Sequence, residues 1–236
     1  MPLTRVRTGG ITDANVTTAK VANNAIGTTQ LALANQGYEH IETRTSASNG
    51  QRFPSGESYF TNVFSNTYVA YKVIVGFWAN LAANGDGGDH YFRFINSSGT
   101  SLNTSDYQYS NTRQRNNDDS YLAVSGQNTD LIQIYRDSWT GGSGAGGFHG
   151  EINIFNVNSV TLNSVDLGRG DVYRPIMTWD FAGYDTGSNQ YTRQSGFGRY
   201  NVSASATTYT GFTLGSTTGN ELAGTHFLIY GLRKPV

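Results

Sequence analysis

The sequence predicts an all-β protein, a jelly-roll-like β-sandwich head preceded by a short extended N-terminal arm. Three observations lead there. The chain carries 29 glycines, 15 tyrosines and 12 phenylalanines among many Ser, Thr and Asn residues, the usage of short strands joined by tight turns. Apolar runs of strand length recur between clusters of Gly, Asn, Asp and Ser, and no stretch beyond residue 37 has a helical period. Residues 1–37 follow a different rule, so the domains divide into an arm, 1–37, and a head, 38–236. At 236 residues and 25.6 kDa the chain has room for one sizeable all-β domain and such an appendage.

In the arm, Ile11, Val16, Val21, Ile26 and Leu31 stand one every five residues. The segment contains two related decapeptides, VTTAKVANNA from Val16 and IGTTQLALAN from Ile26, each apolar at its first and sixth position. On a helix a five-residue step turns the side chain by about 140° from its predecessor, and on a strand an odd step sends it to the opposite face. One chain cannot gather this row into a core of its own, and repeats with a weak apolar face need neighbours. The five side chains are therefore expected to contact further copies of the chain wound around a shared axis, or another component of a larger assembly. A polar linker with regular spacing, or two marginal helical turns each opened by a Thr N-cap, are the alternatives.

From Tyr38 the pattern becomes strand and turn. YVAYKVIVGFW (68–78) is apolar on both parities, which suits a central strand covered on both faces. HYFRFIN (90–96) follows the turn NGDGGD (84–89), and the two runs read as a hairpin. Further strands are expected in LIQIYRD (131–137), GEINIFNV (150–157), VYRPIMTWDFAGY (172–184), GRYNVSA (198–204), TYTGFTLG (208–215) and THFLIYGLRK (225–234). Tyr71, Phe77, Trp78, Phe92 and Phe94 sit on clean strand patterns and are assigned to the core.

Composition narrows the function classes. Charged residues make up 14% of the chain and the formal net charge is -1, so no broad field exists to draw in a nucleic acid or an anionic membrane. Cysteine is absent, which removes disulfides and thiolate metal sites. The opening MPLTRVRTGG has no apolar stretch behind its arginines, and no run approaches the roughly 18 apolar residues of a membrane span. Neither a secretion signal nor membrane insertion is expected.

Two stretches carry a resemblance. ITDANVTTAKVANNAIGTTQLA in the arm resembles the short repeats common near the start of bacteriophage tail-fibre and related virion proteins. GGFHGEINIFN (146–156) and GTHFLIYGLRK (224–234) look like strand motifs of a β-sandwich module in the same proteins. The resemblance implies a virion protein made in the host bacterial cytoplasm, whose arm attaches to the particle and forms a trimer and whose head is exposed. This chain has only two decapeptide units and no long shaft, which equally suits a capsid decoration, cement or head-fibre protein.

The search for catalytic groups is short. His40, His90, His149 and His226 fall in no metal-binding spacing and read as strand or loop residues with ordinary hydrogen bonds. GGSGAGG (141–147) lacks the Gly-Lys-Ser/Thr of a phosphate loop and has Ala145 where a nucleophile elbow needs glycine. Asp118 and Asp119 are paired carboxylates, and Asp86 and Asp89 share a loop with His90, but neither pair follows an EF-hand pattern. No enzyme activity, cofactor or metal is expected, and a polysaccharide-active enzyme is the least supported reading.

Binding needs less. Aromatic rings stack on the apolar faces of sugars while Asn, Asp and Ser hold the hydroxyls. Tyr107, Tyr109, Tyr121 and Trp139 lie near NTRQRNNDDS (111–120), outside the clear strands, and are the expected contacts to a host-surface glycan. The sequence thus predicts a non-enzymatic short fibre or appendage with a glycan-binding head, and a shell-stabilising decoration protein as the alternative. If the arm holds the oligomer together, light scattering on 1–236 gives about three chain masses and on 38–236 one; an unchanged mass in both contradicts that role.

Overall fold

The computed structural model describes residues 37–45, 57–80, 89–116, 121–136, 146–157, 174–185, 190–201, 208–217 and 225–234. Compactness divides the chain between Gly37 and Tyr38, and the architecture below is that of Tyr38–Arg233. The arm positions Ile11, Val16, Val21, Ile26 and Leu31 lie outside the described residues, as does Trp139.

Twelve strands run through the unit: β1 (Tyr38–Thr45), β2 (Glu57–Phe60), β3 (Tyr68–Asn80), β4 (His90–Asn96), β5 (Tyr107–Arg115), β6 (Tyr121–Thr129), β7 (Ile132–Tyr135), β8 (Gly146–Phe155), β9 (Ile176–Asp185), β10 (Gln190–Tyr200), β11 (Tyr209–Ser216) and β12 (His226–Arg233). All pairings are antiparallel. An eight-stranded sheet has the order β1-β12-β3-β8-β9-β10-β5-β6, and a four-stranded sheet the order β2-β11-β4-β7. The protein is an all-β sandwich.

Side-chain alternation builds the core between the sheets. From the wide sheet come Tyr71, Val73 and Val75 of β3, Ile152 and Ile154 of β8, Met177, Trp179 and Phe181 of β9, and Phe227 and Ile229 of β12, all buried. The narrow sheet answers with Phe60, Phe92, Phe94, Ile132, Ile134, Phe212 and Leu214. Phe212 is the hinge of this packing: its ring lies 4.8 Å from Phe60 and 5.3 Å from Phe92, nearly parallel to both. Aromatic pairs at such spacings add about 0.5–1.5 kcal/mol beyond the area they bury.

Two expectations change here. β3 and β4 do not form a hairpin: β3 pairs with β12 and β8 in one sheet, β4 with β11 and β7 in the other. Both runs carry apolar residues for opposite walls of the same core, so the connection crosses between sheets. Trp78 also departs from strict alternation. A bulge between Val75 and Trp78 sets three steps of β3 against two of β8 and returns Trp78 to the core side, where it is fully buried. Phe92, Phe94 and Tyr71 are core residues as expected; the Phe77 side chain is outside the described set.

His90 also differs from the expected satisfied histidine. Its ring is buried among Trp78 at 4.6 Å, Phe148 at 4.8 Å and Tyr135 at 6.1 Å, and neither nitrogen has a hydrogen-bond partner among the described residues. Burial disfavours the charged form and pushes its pKa down from 6.5 to about 3. The unfolded chain then takes up a proton below pH 6.5 that the folded chain refuses until about pH 3, so stability is lost as pH falls through that window. The slope reaches about 1.4 kcal/mol per pH unit. Asp89, whose carboxyl burial raises, opposes this at lower pH, which makes pH 7 to 5 the range to read. Urea midpoints of the wild type fall across that range, and His90→Phe, which keeps the aromatic packing, loses most of the fall.

Candidate functional site

Register places the two ends of the wide sheet. A transverse row of cross-strand partners runs Tyr38, Leu232, Ala70, Phe155, Ile176, marking the end where the chain enters β1. Along β9 from Ile176, Ala182 lies six and Tyr184 eight residues further on, roughly 20–27 Å away at about 3.4 Å per residue. At that distal end the start of β8, the end of β9, the start of β10 and the end of β5 enclose a concave site of about 410 Å³. This is the size of a small-ligand pocket.

Each wall has a local cause. Tyr184 and Tyr191 are cross-strand partners, with ring centroids 4.9 Å apart, and Tyr191 is 66% exposed. The Tyr191 backbone is held from β5: its N–H donates to Asn116 Oδ1 at 3.1 Å, and its carbonyl accepts from the Asn116 N–H at 3.1 Å. Thr192 beside it is buried and its hydroxyl meets that of Tyr135 at 2.5 Å, which ties β10 to the narrow sheet. Gly183 must remain a glycine, because a Cβ there would sit 2.6 Å from the Tyr135 hydroxyl and 2.8 Å from Phe148 Cβ.

The polar side of the site is rich in donors. Gln114, Arg115, Asn116, His149 and Arg193 line it, and no Asp or Glu is among the described lining residues. Arg193 is positioned by Asp180, donating through Nε at 2.9 Å and through Nη2. That hydrogen-bonded pairing, reinforced by charge, raises the arginine pKa and lowers that of the aspartate. Both side chains are largely exposed, so the pair is a positioning device more than a source of stability.

The residues expected from sequence divide differently. Tyr107 lies within β5, fully buried, and its hydroxyl donates to the Leu102 carbonyl and accepts from the Phe94 N–H, both at 2.9 Å. It is a core residue and offers no surface to a glycan, which corrects that expectation. Tyr109 is a half-buried strand residue whose hydroxyl donates to Gln133 at 3.2 Å. Tyr121, at the start of β6, is 73% exposed. Its cross-strand partner is the pocket residue Gln114, and after Asp180 its hydroxyl contributes to the raised Arg193 pKa, so it borders the site. Tyr184, Tyr191 and Arg193 are not among the expected site residues, although tyrosines bracket the turn sequence DTGSNQ (185–190), the mark of aromatic partners across a hairpin.

Two of the other histidines bond threonines of the wide sheet's edge. His40 bonds Thr43 at 2.7 Å and His226 bonds Thr45 at 2.8 Å. No group of three or more His, Cys, Asp or Glu side chains able to hold a metal occurs among the described residues. Asp86, Asp118 and Asp119 lie outside them. No helix among the described residues is long and apolar enough to cross a membrane. No family model matches the chain, and no curated protein or solved structure matches it.

Two substitutions separate the packing tyrosine from the site tyrosine. Tyr107→Phe leaves the Phe94 N–H without its buried acceptor and lowers unfolding stability by about 1–3 kcal/mol. Tyr191→Ala changes it by no more than about 0.5 kcal/mol, the usual range for an exposed site. Chemical denaturation of both variants checks this; a larger loss in Tyr191→Ala would make that ring a structural one.

Proposed function

We propose that the chain is a non-enzymatic virion protein, a short appendage whose exposed head binds a saccharide on the host surface through the distal site. The observation that carries this is placement: a concave site with the exposed Tyr191 against the half-buried Tyr184, and polar donors beside them, lies at the opposite end of the sheet from Tyr38, where the chain leaves the arm. A receptor site belongs there if residues 1–37 attach the protein to its particle, as the repeat resemblance implies. Sugars present apolar faces to tyrosine rings and hydroxyls to amide and guanidinium groups.

The strand order supports a jelly roll beneath this head. β1-β12-β3-β8 facing β2-β11-β4-β7 is the order of two interlocked Greek keys, with β5–β6 and β9–β10 inserted as hairpins that widen one sheet. Three walls of the distal site come from those insertions and one from β8. The second reading, a decoration or cement protein, draws on the entry end, where Tyr38, Phe155 and Ile176 leave apolar surface exposed in one row.

Labelled full-length protein and its variants, applied to cells of the bacterium in which the particle grows, test the choice. Host attachment predicts that Tyr191→Ala abolishes cell binding with the oligomer intact, and that polar replacements of Ile11 and Val16 spare cell binding but prevent incorporation into particles. Cell binding that survives Tyr191→Ala with Tyr184→Ala contradicts the distal site.

A further inference from the structure

A sheet ends in strands whose outer row of N–H and C=O groups has no partner, and proteins blunt such edges by keeping them short, charging them or bulging them. Three of the four sheet edges here follow that rule. β2 and β7 are only four residues long. β1 carries Glu39, Glu42 and Arg44, and a bulge between His40 and Glu42. β6 departs from the rule: it is nine residues long, and YLAVSGQNT has no charged side chain. Its pairing with β5 is regular from Tyr121 to Gln127, and the irregularity comes after that run, at Asn128 with a φ of 55°.

The strand is open to solvent as well as uncharged. Tyr121 is 73% and Leu122 38% exposed, and Ala123, Ser125, Gln127 and Asn128 are exposed with them. Among the described residues, β5 is the strand that pairs with β6, on one side. Leu122 and Val124 share the core-facing parity of Gly126, yet neither is buried, because a sheet of four strands faces one of eight. This edge therefore combines a free hydrogen-bonding row with apolar side chains, the two components of recognition by strand addition.

The strand also fits itself. Laid antiparallel against a second copy with the two-fold axis at Val124, Tyr121 meets Gln127, Leu122 meets Gly126 and Ala123 meets Ser125 of the second copy, and the two Val124 side chains meet at the centre. No like charges are brought together. Each leucine falls opposite a glycine over which the Tyr109 ring lies, since a Cβ on Gly126 would run into that ring, so the leucine packs on an aromatic face. We propose that β6 pairs with β6 of a second copy and carries the wide sheet across two heads. The pairing does not depend on the saccharide reading of the distal cavity. One strand pair is smaller than the roughly 800 Å² per partner of a standard interface, so it forms at high protein concentration. It turns the two entry ends in opposite directions, so the joined heads belong to separate assemblies and the contact is additional to any made by residues 1–37.

The chain has no cysteine, so a single introduced one reports its own neighbour. Directly opposed residues of an antiparallel pair have Cα atoms about 4.5–5.5 Å apart, within the range a disulfide spans. Full-length Val124→Cys, concentrated and mildly oxidised, is expected to run mostly at twice the chain mass on a non-reducing gel. Tyr121→Cys is more exposed but lies six residues, roughly 20 Å, from its counterpart across the axis, and gives several-fold less dimer. A mixture of Ala123→Cys and Ser125→Cys, both at exposed positions, gives the mixed dimer in excess over either variant alone and repeats the test without touching Val124. Thermal melts confirm that the variants are folded. Equal yields from Val124→Cys and Tyr121→Cys mean random collision and overturn the pairing, as does absence of dimer from both Val124→Cys and the mixture. Val124→Cys that links only to a different protein in particles overturns the second copy as the occupant of this edge.

Discussion

The contact on which the rest depends is the packing of aromatic rings across the two sheets, with Phe212 of β11 lying between Phe60 and Phe92 at the middle of the narrow sheet. Cysteine is absent, so the sandwich is held by what it buries between sheets about 10 Å apart. Aromatic side chains fill such a gap with few rotatable bonds, and their edges meet as well as their faces: Phe227 meets Trp78 at 5.3 Å and Phe60 at 5.5 Å, both edge on. The same demand explains the bulge in β3. Without the extra step, alternation would turn Trp78 away from the core, and the indole would leave the cavity it shares with His90 and Phe148.

The width mismatch between the sheets sets where chemistry can sit. Eight strands face four, so β9, β10, β5 and β6 extend the wide sheet beyond its first four strands. β7 is the element that reaches them: Tyr135 bonds Thr192 of β10, and Gln133 accepts from Tyr109 of β5. At the end of β7, Gln194 is buried and clasps the Arg136 backbone, donating at 2.7 Å and accepting at 2.8 Å. The strands that wall the distal site are thus fixed by polar contacts to the narrow sheet, which leaves Tyr191 and Arg193 exposed on a rigid base.

Legibility in the sequence follows from how each strand fills its core-facing positions. β3, β4, β7, β8, β9, β11 and β12 present large apolar residues and are legible in the sequence, β4 to the residue. β5 and β10 are poorly marked in the sequence because their inward positions are unusual. Inward positions of β10 include Thr192, Gln194, Gly196 and Gly198, and the volume comes from partners: Trp179 lies over Gly196, where a Cβ would meet its ring at 2.5 Å, and Ile132 fills the place beside Gly198 at 2.9 Å. β5 points Asn111 inward to Gln194, so no hydrophobic alternation marks it. Tyr107 and Tyr109 therefore read as loop residues in the sequence, whereas they are strand residues facing the core. The site itself was half legible. Tyr121 borders it, but the pairing of Tyr184 with Tyr191 depends on a hairpin register that the sequence pattern left unassigned.

The proposed function turns on which end of the wide sheet would face outward, the distal end with Tyr191 or the entry end with its exposed apolar residues. Cryo-electron microscopy of intact particles, with the protein located by an antibody to the head, tests this most directly. The account predicts density at the tail or its baseplate, with the Tyr191 end of the wide sheet pointing away from the particle. Density spread over the shell, with that end turned against shell subunits, would contradict it and make the tyrosine pair a packing surface.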